Sequence, residues 1–392
     1  MTQRSVVVLS SELPPGPGGI GTHAHQLCLR LAGAGWDVAV VSPQDHTTDA
    51  DAAAFSAAQP YEVVRVRHRR GPVLDGLGRV VQLRSTIRAH RPDVVVATGE
   101  RSTWVVAATV RRPWLAVGHG TEFGTSGGAA RLTRWAFGRA PLVVNVSRFT
   151  REQMLGAGIR ARREVVIHNG GDDDVFAPPP DAAAARGSLR ERHGLPADAR
   201  VLVSVGNVSP RKAQDVVVRA LPAVLAVHPT VHYLVVGLPT LGDELRALAT
   251  ELGVADHVHL TGRLPEADVV AAYQGADVNV FVSRSIDGDV EGYGIAAVEA
   301  ALCGTPSVVS AASGLVEAVD PDETALVVPA DDPGATAAAI SRLLGDDALR
   351  ERLGRCGLER ARAGRTWRRS IAAYAAELAT LAGSPSRSEQ PA

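Results

Sequence analysis

The stretch from Ser283 to Pro306, SRSIDGDVEGYGIAAVEAALCGTP, decides how the whole chain is read. Glu291-Gly-Tyr-Gly294 lies at its centre, and Glu299 follows eight residues after Glu291. Just upstream, Val278-Asn-Val-Phe-Val282 is an apolar run of strand length. Just downstream, Ile295 to Cys303 is an Ala-rich helix pattern, stopped by Gly304-Thr-Pro306. The order is strand, acidic glycine loop, helix. Open α/β sheets bind ligands at the carboxyl ends of their strands, which is where Glu291 falls. At about 3.6 residues per turn, Glu299 comes round to the loop-facing side of the helix. A glycine loop entering a helix N-terminus suits phosphate or sugar oxygens. Two carboxylates there can accept hydrogen bonds from hydroxyls. As isolated acids they would read as a dipole-complementing helix residue and a surface charge. The spacing, the glycines and the position favour a site.

The segment resembles the E-x7-E signature of retaining glycosyltransferases of the GT-B fold, family 4 in particular. The resemblance implies that Glu291 meets a donor sugar and that Glu299 binds ribose hydroxyls. It also implies an α/β architecture: two facing Rossmann-like domains with parallel sheets and an interdomain cleft.

Composition agrees with two domains. A chain of 392 residues with 45% hydrophobic content can build two ordinary cores. No window supplies the long uncharged apolar run of a membrane span. The N-terminal run Val6–Leu9 is too short for a signal peptide and has no small-residue cleavage site after it. Cys28, Cys303 and Cys356 are too dispersed for a disulfide framework or a metal cluster, so free thiols in a reducing cytoplasm are expected. Charge is uneven: residues 1–175 carry 21 Arg and 15 acids, the remainder 20 basic and 27 acidic residues. A basic first half fits an anionic acceptor, a membrane surface or a solvated basic face. Of 41 basic residues 40 are Arg, which suggests a GC-rich, actinobacterial type of genome. The single lysine, Lys212, therefore marks a place where a compact ammonium and a guanidinium are not interchangeable.

In the first half, residues 5–10 read as a buried parallel strand. Pro14-Pro-Gly-Pro-Gly-Gly-Ile-Gly21 reads as a loop, Thr22–Ala34 as a helix and Val38–Val41 as a strand. This β-loop-α-β opening is not G-x-G-x-x-G, so a nicotinamide site fits poorly. Gly18, Gly19 and Gly21 resemble the family's N-terminal glycine loop, which implies contact with donor phosphates or acceptor. Residues 43–60 read as a polar loop, and Glu62–Arg67 as a strand. Asp75–His90 reads as a helix burying Leu77, Val80, Leu83 and Ile87 while Arg79, Arg84 and Arg88 crowd elsewhere. In related lipid-modifying enzymes a basic helix here docks on membranes, although this one lacks the Trp or Phe that insertion favours. Gly118-His-Gly-Thr-Glu122 follows a strand and resembles the family's active-site histidine loop, which implies that His119 approaches the donor sugar, with Glu122 a weaker companion. His168-Asn-Gly-Gly-Asp172 resembles the family's turn before the linker, and residues 177–187 are the linker candidate.

In the second half, Val201–Val205 is a strand, and Gly206-Asn-Val-Ser-Pro-Arg-Lys212 leads into a helix. The family pattern has an Arg early in this loop; here Asn207 replaces it and Arg211 stands beside Lys212. Two cations at a helix N-terminus oppose its dipole unless an anion bridges them, and a diphosphate would do so. Gly262, Arg263 and Leu264 match the segment that lines the nucleotide base in the family. Trp367–Leu381 is the last helix.

The sequence thus gives residues 1–176 as an acceptor domain, with helix 367–381 packing back on it. It gives 177–366 as a nucleotide-sugar donor domain and 382–392 as a disordered tail. The expected activity is transfer of a hexosyl or N-acetylhexosaminyl group from a nucleotide-diphosphate sugar to an acceptor hydroxyl with retention, in the cytoplasm or at the inner membrane face. His119, Lys212 and Glu291 are the catalytic candidates. Gly18, Gly19, Gly21, Arg211, Lys212, Gly262, Arg263, Leu264, Glu291, Gly292, Tyr293, Gly294 and Glu299 are the donor-binding ones. No cofactor or metal is expected, and no nucleic-acid partner; the donor is UDP- or GDP-linked. The acceptor is left open among glycan, lipid, sugar phosphate and natural-product aglycone. Rival functions on the same fold are a nucleotide-sugar epimerase, a phosphorylase, or a non-catalytic nucleotide-sugar binder.

Overall fold

The computed structural model describes residues 3–44, 47–66 and 72–383. The expected disordered tail lies, from residue 384 on, outside the described residues, as does Arg67 of the third expected strand. The chain divides into two compact units. One comprises Met1–Asn169 and the last helix from Arg368 onward; the other is Gly170–Trp367.

The first unit holds seven strands: β1 (Ser5–Ser10), β2 (Asp37–Pro43), β3 (Glu62–Val66), β4 (Val94–Thr98), β5 (Trp114–Gly118), β6 (Leu142–Asn145) and β7 (Glu164–Val166). They form one parallel sheet in the order β3-β2-β1-β4-β5-β6-β7. Val6 to Leu9 are fully buried, because helices cover both faces of a parallel sheet. Right-handed crossovers place helices Pro72–His90, Glu100–Thr109 and Gly127–Arg139 on one face, each packing on the next. The second unit holds β8 (Arg200–Val205), β9 (Val231–Val236), β10 (Val258–Gly262), β11 (Val278–Phe281), β12 (Ser307–Ser310) and β13 (Ala325–Val328). Its parallel order is β10-β9-β8-β11-β12-β13. Each unit has its own apolar core, around Leu9, Val95 and Phe137 in the first and Leu202, Tyr233 and Ile340 in the second. Both strand orders reverse once, between β1 and β4 and between β8 and β11. These are doubly wound Rossmann-like sheets.

Several expectations need correction. Residues 43–60 are not all loop: Asp49–Ala57 is a helix, capped by Thr48, whose hydroxyl accepts from the Asp51 N–H. Its weak amphipathicity hid it, and the cap was the missed signal. The linker candidate is partly helix Ala182–Arg192, where Asp181 accepts from the Ala183 and Ala184 N–H groups. Alanine favours helix more strongly than the neighbouring prolines disfavour it beyond their own positions. The first helix spans Gly19–Gly33, so Gly19 and Gly21 lie in its first turn rather than in a loop. In helix Pro72–His90, Leu77 is 55% exposed and Arg79 only 5% exposed, the reverse of the expected faces. Among the described residues no helix is long and apolar enough to cross a membrane.

Packing of helix Asp347–Gly364 seats the end of helix Ile295–Leu302, which carries Glu299. A Cβ at Gly354 would collide with the Gly304 carbonyl oxygen, whereas one at Gly357 would make an ordinary 3.5 Å contact with Ala301 Cβ. Gly→Ala inside a helix normally stabilises by about 1 kcal/mol. Gly354→Ala is expected to reverse that sign and cost about 2 kcal/mol by overpacking. Gly357→Ala should be neutral or stabilising. Urea-unfolding midpoints of the two variants check the pair; equal gains in both would refute the close approach.

Candidate functional site

The switch point between β8 and β11 builds the charged centre of the second unit. The loop after β8 carries Arg211 and Lys212, and the loop after β11 carries Glu291. Because β8 and β11 are paired neighbours, the two loops leave the sheet side by side. The Arg284 N–H donates to the Arg211 carbonyl at 2.8 Å and ties them together. Lys212 Nζ donates to Glu291 Oε2 at 2.8 Å, and Arg211 donates to the same oxygen. Arg211 Nε also lies 3.1 Å from Asp289. The Lys212 ammonium sits 4.3 Å from the centroid of the Phe281 ring. Its stem passes Gly206, where a Cβ would stand 3.2 Å from Lys212 Cε.

Burial sets the protonation energetics. Desolvation lowers the Lys212 pKa, with Arg211 adding to the fall and Glu291 opposing it. Burial pushes the Glu291 carboxyl up, but the Lys212 and Arg211 charges and hydrogen bonds outweigh it and hold it below its ordinary value. Glu299 differs: burial raises its pKa to about 7, and Glu266 and Asp172 add to the rise against Lys212. The Tyr273 hydroxyl donates to Glu299 Oε2 at 3.4 Å. Two acids eight residues apart in one motif are therefore held in different protonation regimes.

Helix Ile295–Leu302 starts at Gly294, whose φ of 96° lies in the left-handed region. A Cβ there would strike Leu315, so glycine is required on both counts. Gly292 leads into this turn. Tyr293 is only 1% exposed and is hydrogen-bonded to Arg365, which makes it a support beneath the loop. Asp287 and Asp289 belong to a tight turn closed by paired Ile286 and Asp289 backbone hydrogen bonds. Asn207, where the family pattern has Arg, accepts from the Leu238 N–H at 3.1 Å and pins the loop to the one after β9. Gly262 ends β10 with a φ of 74° and accepts from the Gly237 N–H at 3.0 Å. Arg263 is exposed and Leu264 half-buried. Asp172, Asp173 and Asp174, which the sequence did not single out as a group, bring carboxylate oxygens within 4.8 Å of one another. Asp172 raises the pKa of both Glu266 and Glu299.

The first unit places His119 just after β5, 8% exposed. Its Nε2 shares a 2.7 Å hydrogen bond with Thr98 Oγ1 at the end of β4. The His23 ring meets it edge-on at 5.1 Å, and His23 Nε2 lies 3.0 Å from the Tyr374 hydroxyl. Burial, then His23, lowers the His119 pKa well below its ordinary value, so the imidazole is neutral. Glu122 is 3% exposed and accepts from the His119 N–H at 2.7 Å. It braces the turn after β5 from inside rather than standing beside His119 as a companion. Gly18 and Gly21, but not Gly19, lie against a residue that sequence reasoning missed, Glu12. The Gly21 N–H donates to Glu12 Oε2 at 3.3 Å, and a Cβ on Gly18 would fall on that carboxylate. A carboxylate shortly before a glycine loop was the available signal. The structure thus gathers Arg211, Lys212, Glu291 and Asp289 into one cluster, with Glu299 close enough to feel Lys212. It gathers His119 with His23 in the other unit.

Comparison with known proteins follows the same division. Residues 185–360 match the family model for glycosyl transferases group 1, and residues 17–175 match the model for glycosyltransferase family 4. A GDP-mannose-dependent alpha-(1-6)-phosphatidylinositol monomannoside mannosyltransferase of Mycobacterium tuberculosis is 32% identical over 365 residues, 90% of this chain and 92% of that protein. A D-inositol 3-phosphate glycosyltransferase of Acidothermus cellulolyticus is 40% identical over 173 residues, 42% of this chain. The chain spans 37% of the length of that protein, and 41% of its counterpart from Thermomonospora curvata. Among solved structures, Anabaena HepE in complex with UDP and glucose superposes with a TM-score of 0.82 at 21% identity, covering 96% of this chain and 100% of that one. Sucrose-phosphate synthase from Thermosynechococcus elongatus gives 0.79 at 23% identity, covering 97% and 99%. With a match of 32% identity across 90% of its length, the chain belongs to glycosyltransferase family 4, the group 1 glycosyl transferases of the GT-B fold.

Proposed function

We propose that the protein transfers a hexosyl group from a nucleotide-diphosphate sugar to an acceptor hydroxyl with retention of configuration. The observation that carries this reading is the cluster at the β8–β11 switch point, where two cations share one carboxylate oxygen beside a helix N-terminus. A diphosphate is the dianionic group that such a pair is built to receive. Arg211 and Lys212 then hold the leaving diphosphate and stabilise its developing charge. Glu291, released from part of its ion pairing, accepts hydroxyls of the sugar, and the N–H groups of Gly292 to Gly294 orient it. Glu299 accepts ribose hydroxyls. Gly262, Arg263 and Leu264 line the base. His119 takes the role that the family resemblance gives it, a neutral hydrogen-bonding group for the donor sugar. The names of the relatives make GDP-mannose the first donor to try and an inositol-containing lipid the first acceptor. A calorimetric panel of UDP, GDP, ADP, dTDP and NAD, with and without magnesium, tests the class. Tight binding of one diphosphate supports it; binding of NAD alone, or of none, refutes it.

Position 212 supplies a sharper test. Lys212 Nζ fits between Glu291 and the Phe281 ring, with its stem packed over Gly206. A guanidinium is larger and planar. Lys212→Arg is expected to keep the charge yet lower kcat by roughly two orders of magnitude, as loss of one electrostatic contact does. A wild-type rate in this variant would sink the assignment.

Glu299 makes donor binding depend on pH. Its folded pKa is raised to about 7, so its contribution to stability is full below the ordinary carboxylate pKa and is lost as pH rises through about 7. Ribose hydroxyls donate best to the ionised form. Nucleotide affinity should therefore rise as pH climbs through that same range, with uptake of the ligand releasing a proton. Calorimetry in buffers of different ionisation enthalpy reads the release directly. Glu299→Gln should abolish the part of the pH dependence that the nucleotide's own phosphate does not explain.

A further inference from the structure

We propose that His232 and His259, joined by His257, form a binding site for a divalent transition-metal ion such as zinc at the outer edge of the second sheet, separate from the donor site. β10 is the edge strand of that sheet and pairs in parallel with β9. The register sets His259 beside Leu234, two residues on from His232, so both histidines project from one face. Tyr233 and Val235 alternate onto the other face and enter the apolar core. His232 Nδ1 and His259 Nε2 are 2.9 Å apart, with ring centroids at 5.1 Å. The His257 ring lies against His232 from the turn before β10, its centroid 5.0 Å away. All three residues are half-buried, within reach of an ion from solvent.

These separations suit a shared ion. Zinc–nitrogen bonds of about 2.0–2.1 Å, at angles between square and tetrahedral, put two ligand nitrogens roughly 2.9–3.4 Å apart and their ring centroids about 5 Å apart. As a hydrogen-bonded pair, one imidazole N–H donates to the other ring's nitrogen. The ion takes the place of that proton, which moves to the donor ring's outer nitrogen; both rings stay neutral and each gives the ion one lone pair. His257 joins as a third ligand. Its Nδ1–H donates to the Val231 carbonyl at 2.7 Å, which leaves the lone pair on Nε2. Ligating histidines characteristically spend their second nitrogen in this way. Burial first, then His259 and His257, push His232 down to about 4, so no proton competes for it at neutral pH. Asp198 and His193, both beyond helix Ala182–Arg192, act on His232 and His259, and Asp198 brings a negative charge. An imidazole donor set selects zinc, nickel or copper over magnesium and calcium, which prefer oxygen. A hydrogen-bonded pair alone would need no third imidazole beside it. The histidines lie near the amino ends of β9 and β10, whereas the loops carrying Arg211, Lys212 and Glu291 follow the carboxyl ends of β8 and β11. The ion therefore clamps the edge strand to its neighbour and takes no part in the proposed transfer.

Calorimetric titration of the full chain, free of any histidine tag, with zinc chloride and separately with magnesium chloride is the experiment. The wild type should bind a single zinc ion, ignore magnesium, and melt roughly 5 °C higher when zinc exceeds Kd about a hundredfold. His232→Gln and His259→Gln, whose amides can still hydrogen-bond the remaining ring, should each lower zinc affinity about 100-fold, and His257→Ala about tenfold. Nucleotide binding should be the same in all three variants as in the wild type. Cobalt in place of zinc should give the visible bands of nitrogen ligation. Absence of zinc binding by the wild type overturns the proposal. So does binding that survives both Gln changes, which would assign the ion to Asp172–Asp174 or another site. A thiolate charge-transfer band with cobalt, which would assign it to a cysteine, overturns it as well. If a Gln variant fails to fold, modification of the wild type by diethyl pyrocarbonate decides: zinc should protect His232 and His259, and equal modification with and without zinc refutes the site. Zinc binding that persists when no nucleotide binds would leave this inference standing and the proposed function refuted.

Discussion

The second unit depends on one electrostatic constraint: two adjacent cations at the mouth of a helix cannot stand without an anion. Arg211 and Lys212 come just before helix Gln214–Leu225, whose N-terminal dipole repels positive charge. Glu291 supplies the anion from the neighbouring loop. The sheet topology makes this possible, because only at the switch point do consecutive-in-space strands send their loops to opposite faces and leave a crevice between them. The backbone yields to the arrangement. Ala213 caps the helix in a left-handed conformation, φ 53°, which a non-glycine residue adopts only when its surroundings enforce it. The Arg284 N–H to Arg211 bond and the Asn207 bond to Leu238 provide that enforcement.

The first unit places its candidate residues by hydrogen bonding rather than by charge. His119 is neutral through burial, held by Thr98 on one side and by the Glu122-braced turn on the other. Burial also pushes Glu122 up to about 7, although the N–H groups around it pull the other way. A carboxyl that sits inside its own turn and accepts backbone hydrogen bonds shapes the loop; it does not reach outward. The contrast with Glu291 follows from the partners: cations in one case, amides in the other.

How legible all this was in the sequence follows from what periodicity and composition encode. Buried parallel strands such as Val6–Leu9 and Val94–Ala97 are continuous apolar runs, so the sheets could be read directly. Lys212 stood out as the single lysine among forty arginines, and its position at the centre of the ion cluster is a local fact that a count could point to. Helices with weak amphipathicity were harder. Asp49–Ala57 looked like a loop because Ala and Asp alternate without an apolar face, and Gly127–Arg139 carried no motif. Arg79 and Leu77 were placed on the wrong faces because polarity alone does not report which side of a helix meets the sheet. The pKa contrast between Glu291 and Glu299 was illegible for a different reason. It depends on Lys212, Glu266 and Asp172, which are remote from the motif in the sequence and converge only through the fold.

That convergence also bears on how a site can be preorganised without its ligand. A cleft lined with unpaired cations would be costly, since each buried charge loses its hydration. Sharing one carboxylate oxygen between Arg211 and Lys212 offsets that cost and fixes both side chains near the geometry in which an anion would meet them. The binding of a dianion then exchanges one set of ion pairs for another, so the net electrostatic gain is moderate and the two cations need little rearrangement. On the proposed function this exchange has a second consequence. The carboxylate displaced from the cations is Glu291 itself, the group that the sugar hydroxyls require. Arrival of the diphosphate and release of the sugar-binding acid would be one event, and the self-neutralised cluster is the physical reason the two are coupled.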